Sequence, residues 1–450
     1  MAPAGGKRLV RVRRQEPRDA SAGAPPDSSA HCALAADSLG YSLWLGARVL
    51  AAVHAGKSLN EALSLLVGEA AGARAAAQDI AYGVLRRHGR GEFILGRLMT
   101  KPLSHAETQA LLLAALYRLE TRPDAAHMVV DQAVAAAAEL AGGALKGVVN
   151  GVLRNFLRQR EAVLAALEQD DVAQHQHPAW WLRRLRRAYP ERWQDIVAVG
   201  NQPPPMTLRV NRRRDSVAGY QARLAEAGLT AWSVGAAGLM LDRPVVVDAL
   251  PGFSEGCVSV QDAGAQHAVE LLAPQNGERV LDACAAPGGK TAHLLETADL
   301  DLLALDIDAG RTRRIEENLQ RLGLAADVRV ADCLAVRAWW DGRPFDAVLA
   351  DVPCSASGVV RRHPDIKALR RESDIRRLVH VQTAILDALW SVLKPGGRML
   401  YATCSVFVEE NSAQIDAFLV RQPGAQRLVE EQWLPQDKND GFYYALLRKT

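Results

Sequence analysis

Lysine is scarce in this basic sequence: nine lysines stand beside 45 arginines, and the formal charge nets only +3. That balance excludes a histone-like polycation and an acidic disordered chain alike. Arginine is the better bidentate ligand for phosphate, yet arginine bias in an alanine-rich chain also fits a GC-rich genome. No apolar run reaches the roughly 18 residues that a membrane helix needs; the alanine-rich stretch from Ala133 is broken by Glu139. The basic start, Met1 to Arg18, has no apolar secretory core, which predicts a cytoplasmic protein. Six cysteines in 450 residues are too few for a disulfide framework. They form no CxxC or CxxH pair, so no zinc or other metal is expected.

A chain of this length has room for two or three domains. Residues 1–38, rich in Ala, Gly, Pro, Ser and Arg without periodicity, read as a disordered tail. Over residues 39–165 apolar positions recur at helical spacing: Leu111 to Leu113, Leu119, Met128 to Val130, Val134, Val148, Val149, Val152, Leu153, Phe156 and Leu157. Residues 170–255 read as a small α+β domain, with a short helix after His177 and a strand from Met206 to Val210. Between His177 and Arg214 nine arginines face Glu191 and Asp195, a local +7 that leaves the remaining chain at −4.

From residue 256 onward strands and helices alternate. Arg279–Asp282, Leu302–Asp306, Val328–Asp332, Phe345–Asp351 and Arg398–Cys404 read as five strands of a largely parallel, doubly wound sheet. Ligands of such sheets bind at the carboxyl ends of the strands, where every acid and cysteine just named falls. The loop Cys284-Ala285-Ala286-Pro287-Gly288-Gly289-Lys290 resembles a P-loop, but Cys284 occupies the place of its first glycine, and no GxGxxG is present. A small-residue loop followed by a strand-end acid suits a nucleoside cofactor, S-adenosylmethionine. Asp306 is then placed for the ribose hydroxyls and Asp332 for the adenine amino group; each acid alone could equally be a helix N-cap.

Asp351-Val352-Pro353-Cys354 and Thr403-Cys404-Ser405 end the fourth and fifth strands. A lone cysteine there is usually an inert apolar residue; two beside a cofactor loop point to covalent chemistry. Carbon 5 of cytosine is too weak a nucleophile to accept a methyl group unaided. A thiolate added at carbon 6 makes it an enamine that can attack a sulfonium methyl. Asp351 is placed to hold the pyrimidine edge.

Together, Asp282 to Thr291, Asp351 to Ser355 and Tyr401 to Ser405 resemble the RNA cytosine-5 methyltransferase family. Ser357 to Lys367 and Asp440 to Tyr444 resemble its bacterial 16S rRNA branch, and Lys146 to Arg154 is similar to a NusB-type RNA-binding domain. The resemblance implies an all-α NusB-like domain, a connecting domain and a Rossmann-like methyltransferase domain. It implies Cys404 as nucleophile, Cys354 in product release, and cofactor contacts from Cys284 to Lys290, Asp306, Asp332 and Asp351. It implies 16S rRNA or an assembling small subunit as partner, and a monomer. A tRNA substrate, or a non-catalytic RNA-binding role, is the alternative; retention of Cys404, Cys354 and Asp306 weighs against the latter. Val352 and Ala331 depart from the family's usual Ala and Gly without removing a reacting group.

Two basic stretches are expected to meet RNA: His177 to Arg214, and Arg361 to Arg377, where seven cationic residues against three acidic ones net +4 just after Cys354. Trp180 and Trp181 are expected to be core anchors rather than base-stacking platforms.

Overall fold

The computed structural model describes residues 32–450. The expected tail therefore lies, up to residue 31, outside the described residues. Beyond it Leu34 already packs on the helical core, and the Ser38 hydroxyl accepts from the Tyr41 amide at 3.1 Å, capping helix Leu39–His54.

Helices Leu39–His54, Ala71–Arg86, Arg90–Leu98, Ala106–Thr121, Ala126–Ala138 and Lys146–Leu167 make up the N-terminal domain. Leu111, Leu112, Leu113, Leu116 and Leu119 are all buried, so Ala106–Thr121, apolar nearly all round, forms its centre. Met128 and Val148 belong to the apolar pattern by sequence but lie exposed. Among the described residues no helix is long and apolar enough to cross a membrane.

Helix Ala179–Ala188 opens the connecting domain, and Trp181 is buried there as expected. Its sheet comprises β1 (Thr207–Val210), β2 (Ala231–Val234), β3 (Gly238–Leu241) and β4 (Val258–Val260) in the order β2-β3-β1-β4, antiparallel throughout.

The C-terminal sheet runs β10-β11-β9-β8-β5-β6-β7. Its parallel strands are β5 (Arg279–Asp282), β6 (Asp301–Asp306), β7 (Asp327–Val330), β8 (Phe345–Asp351) and β9 (Leu393–Thr403). The hairpin β10 (Ala425–Trp433) and β11 (Phe442–Lys449) adds an antiparallel edge through β11 on β9. Lys394 to Gly397 form a bulge inside β9, with Gly396 at φ +77°. Strand order reverses between β5 and β8, the crevice where such sheets bind ligands.

Residues 361–367 are where the three domains meet. The Asp365 carboxylate accepts from the Leu59 amide at 2.9 Å, at the start of the short helix Leu59–Ala62. The buried Lys367 side-chain nitrogen donates to the Arg86 carbonyl at 2.8 Å and the Asn201 side chain at 2.5 Å. Arg361 and Arg362 both bind Asp440, and Arg362 also reaches Asp262 at 2.6 Å.

Candidate active site

The strand order brings β5, β6, β8 and β9 side by side, so their carboxyl ends ring one cavity of about 390 Å³. Cys284 and Ala286 line it from the glycine loop, Asp306 from β6, Asp332 after β7, Asp351 at the end of β8 with Cys354 just after it, and Cys404 after β9. Ala285, Pro287, Gly288 and Gly289 complete the loop without lining the cavity. Gly288 sits at φ +92°, and a Cβ there would stand 3.1 Å from the Ile315 backbone, so only glycine fits. Lys290 is not among the residues lining the cavity but donates at 2.6 Å to Asp351, which is. Burial pulls the Lys290 amine down, but Asp351, Cys404 and Asp282 outweigh it and hold the ammonium.

Asp306 is buried, and each of its carboxylate oxygens accepts one backbone amide, Ala286 and Asp308, both at 3.1 Å. Each keeps a free lone pair, enough for two vicinal hydroxyls. Beside it Ile307 is 67% exposed at the cavity wall, an apolar shelf where an aromatic base can lie. Asp282 at the end of β5 gives one oxygen to the Thr291 hydroxyl at 2.7 Å; its other oxygen is buried without a partner. These features fit an adenosine with its methionine tail.

Burial, opposed by the Thr291 bond, raises the Asp282 carboxyl from 3.8 to about 7. The folded chain thus keeps a proton that the unfolded chain loses. The stability this gives is whole below the unfolded value and drains away as pH rises toward 7, by at most about 4 kcal/mol. Asp282→Asn keeps an acceptor for Thr291 and carries no charge. Urea unfolding of the cofactor-free proteins should therefore show the variant gaining on wild type between about pH 5 and pH 8. A gap that stays constant across that range rules out the buried proton.

The sulfurs of Cys354 and Cys404 lie 3.4 Å apart. Hydrogen bonding with Cys404, then burial, then the charges of Cys404 and Glu410 push the Cys354 thiol well above its ordinary range. Cys354 is thereby held as the protonated thiol, while Cys404 stands partly exposed on the cavity wall.

Three family descriptions match along the chain: NusB over residues 45–158, the ferredoxin-like domain of RsmF/B-like methyltransferases over 177–248, and 16S rRNA methyltransferase RsmB/F over 269–448. Ribosomal RNA small subunit methyltransferase B of Vibrio cholerae is 47% identical, the match covering 83% of this chain and 88% of the relative. The chain belongs to the RsmB/F family. Its Salmonella arizonae namesake is 44% identical over 88% of this chain and 96% of its own. Among solved structures, that of PH0851 has a TM-score of 0.74 at 24% identity, covering 91% of this chain and 99% of that one. A methyltransferase homolog from Pyrococcus horikoshii gives 0.56 at 27% identity, covering 62% and 97%. As a member of RsmB/F the chain is a methyltransferase of small-subunit rRNA, with S-adenosylmethionine as the cofactor its cavity fits.

Part of the charge in the two basic stretches is taken up inside the fold. Arg209 is wholly buried against Glu296, Arg213 donates to the carbonyls of Leu295 at 2.6 Å and Ala298 at 2.9 Å, and Arg214 donates to that of Leu322 at 3.0 Å. Arg183 and Arg184 meet Glu372 and Glu409. After Cys354, Arg361, Arg362 and Lys367 are the domain junction, and Arg370 binds the Ser355 carbonyl at 3.2 Å. Arg183, Arg187, Arg192, Arg212, Arg213, Arg214, Arg371, Arg376 and Arg377 nevertheless stay exposed. Acids distant in sequence and free carbonyls supply these partners, and no local charge count contains them.

Several residues of the site carry no signal in the sequence reading. Arg311 and Cys333 line the cofactor side, and Phe407, three residues past Cys404, seats its loop against Trp180 and Trp181 at 5.7 and 5.2 Å. Glu410, fully buried behind both cysteines, is the largest omission. Its one sequence cue is the pair Glu409-Glu410 within six residues of Cys404.

Proposed function

We propose that this chain methylates carbon 5 of a cytosine in 16S rRNA through a covalent bond between Cys404 and carbon 6. The observation that carries this reading is the meeting of two cysteines at adjacent parallel strand ends, 3.4 Å apart, on the wall of the cofactor cavity. S-adenosylmethionine, when bound, supplies an electrophilic methyl group. Asp306 and Asp332 hold its ribose and adenine. A cytosine must be unpaired or flipped to enter. Asp351, held in place by the Lys290 bond, accepts from the cytosine amino edge. The Cys404 thiolate adds to carbon 6, and carbon 5 then takes the methyl group. Loss of the carbon 5 proton lets the thiolate leave, and Cys354 assists this release.

Bisulfite sequencing of 16S rRNA tests the substrate. One cytosine that resists conversion in wild-type cells should convert in a deletion strain and regain resistance on complementation. An unchanged 16S rRNA pattern, or loss of protection in tRNA instead, rejects it.

A further inference from the structure

Glu410 sits immediately behind the two cysteine loops, in the short turn Val408–Glu410, and is fully buried. One carboxylate oxygen accepts from the Ser355 amide at 2.8 Å and the Gln382 side-chain amide at 3.1 Å. The other accepts from the hydroxyls of Ser355 at 2.5 Å and Ser405 at 2.6 Å. Ser355 follows Cys354, and Ser405 follows Cys404. A single carboxylate therefore binds the residue next to each cysteine. Ser357 closes the cluster, 3.0 Å from both serine hydroxyls, and Gln382 also donates to the Pro353 carbonyl at 3.0 Å.

Every donor to Glu410 is neutral: one amide N–H, one side-chain amide and two hydroxyls. A buried carboxylate without a cation is a costly way to fill a core, and apolar residues would serve stability as well or better. What a carboxylate uniquely offers is several acceptor sites at one point. That lets it hold two loops at once, where a misplacement of about 1 Å can cost about a hundredfold in rate.

We propose that Glu410 is a positioning residue that fixes the Cys354 and Cys404 loops in register through Ser355 and Ser405, and so sets the rate at which the covalent adduct is formed and resolved. This rests on the covalent reading above. Glu410 touches no substrate and does not line the cofactor cavity, so its removal should leave cofactor binding alone.

Glu410→Gln keeps the shape. Its oxygen can stay on the Ser355 and Gln382 amides while its NH₂ donates to the rotated serine hydroxyls. It loses the shared acceptor. In full-length protein with an rRNA fragment, Glu410→Gln and Ser405→Ala should each lower kcat by about tenfold or more and lengthen the life of the SDS-stable adduct. KM for S-adenosylmethionine should stay within about twofold, because that site is untouched. Wild-type kcat in both variants overturns the proposal. So does a fall in cofactor affinity and Tm in step with kcat, which would mark a merely structural role. If Glu410→Gln fails to fold, Ser405→Ala decides. The two readings separate cleanly: methylation by Cys404→Ala breaks the covalent reading, whereas a dead Cys404→Ala beside a fully active Glu410→Gln breaks only this one.

Discussion

Cys404→Ala is expected to abolish methylation, with a loss in kcat of at least about 10⁴-fold, while S-adenosylmethionine still binds. The magnitude follows from the chemistry, since without a thiolate on carbon 6 there is no enamine at carbon 5. Cys354→Ala should behave differently and build up a protein–RNA adduct that survives SDS. The asymmetry comes from the environments of the two sulfurs. Cys354 is buried, faces Cys404 and Glu410, and is held protonated. Cys404 is only partly buried, on the cavity wall, where an incoming base can reach it. A dead Cys354→Ala together with an adduct-forming Cys404→Ala would exchange the two roles.

The sheet that carries this chemistry was legible because its strands are buried on both faces. Val280-Leu281 and Ala347-Val348-Leu349-Ala350 are continuous apolar runs ending in acids, as strands buried on both faces of a parallel sheet read. The β10–β11 hairpin was not legible. β10 is the edge strand and carries Arg427, Glu430 and Glu431, charges that protect an edge and erase its apolar pattern. Of the site, the acids and cysteines could be read because strand-end position alone assigns them. Lys290 could be placed in the loop by sequence, but its bond to Asp351 depends on β5 and β8 being neighbours. Glu410 was hidden for the same reason. Its partners lie 55 residues upstream and five upstream, in the loops that follow two different strands.

Arg209→Ala is expected to cost about 3–5 kcal/mol of stability. Arg209 rises from β1 of the connecting domain into the methyltransferase domain, its side chain 0% exposed and that of Glu296 2%. Its guanidinium meets Glu296 through two bonds of 2.8 Å and the Gly289 carbonyl through one of 2.7 Å. Those partners are the last and first turns of helix Gly289–Thr297, the helix that leaves the glycine loop. Alanine would strand Glu296 as a buried charge, near a helix C-terminus whose dipole already repels it. Chemical denaturation of the single variant should show the loss. The double variant Arg209→Met, Glu296→Leu should recover most of it, because the penalty lies in the abandoned charge rather than in the missing pair. The double variant still lacks the bond to Gly289, so cofactor affinity should remain below wild type after stability returns. Full recovery of both would reduce Arg209 to a domain fastener. Recovery of stability alone makes it the link through which the connecting domain holds the cofactor loop.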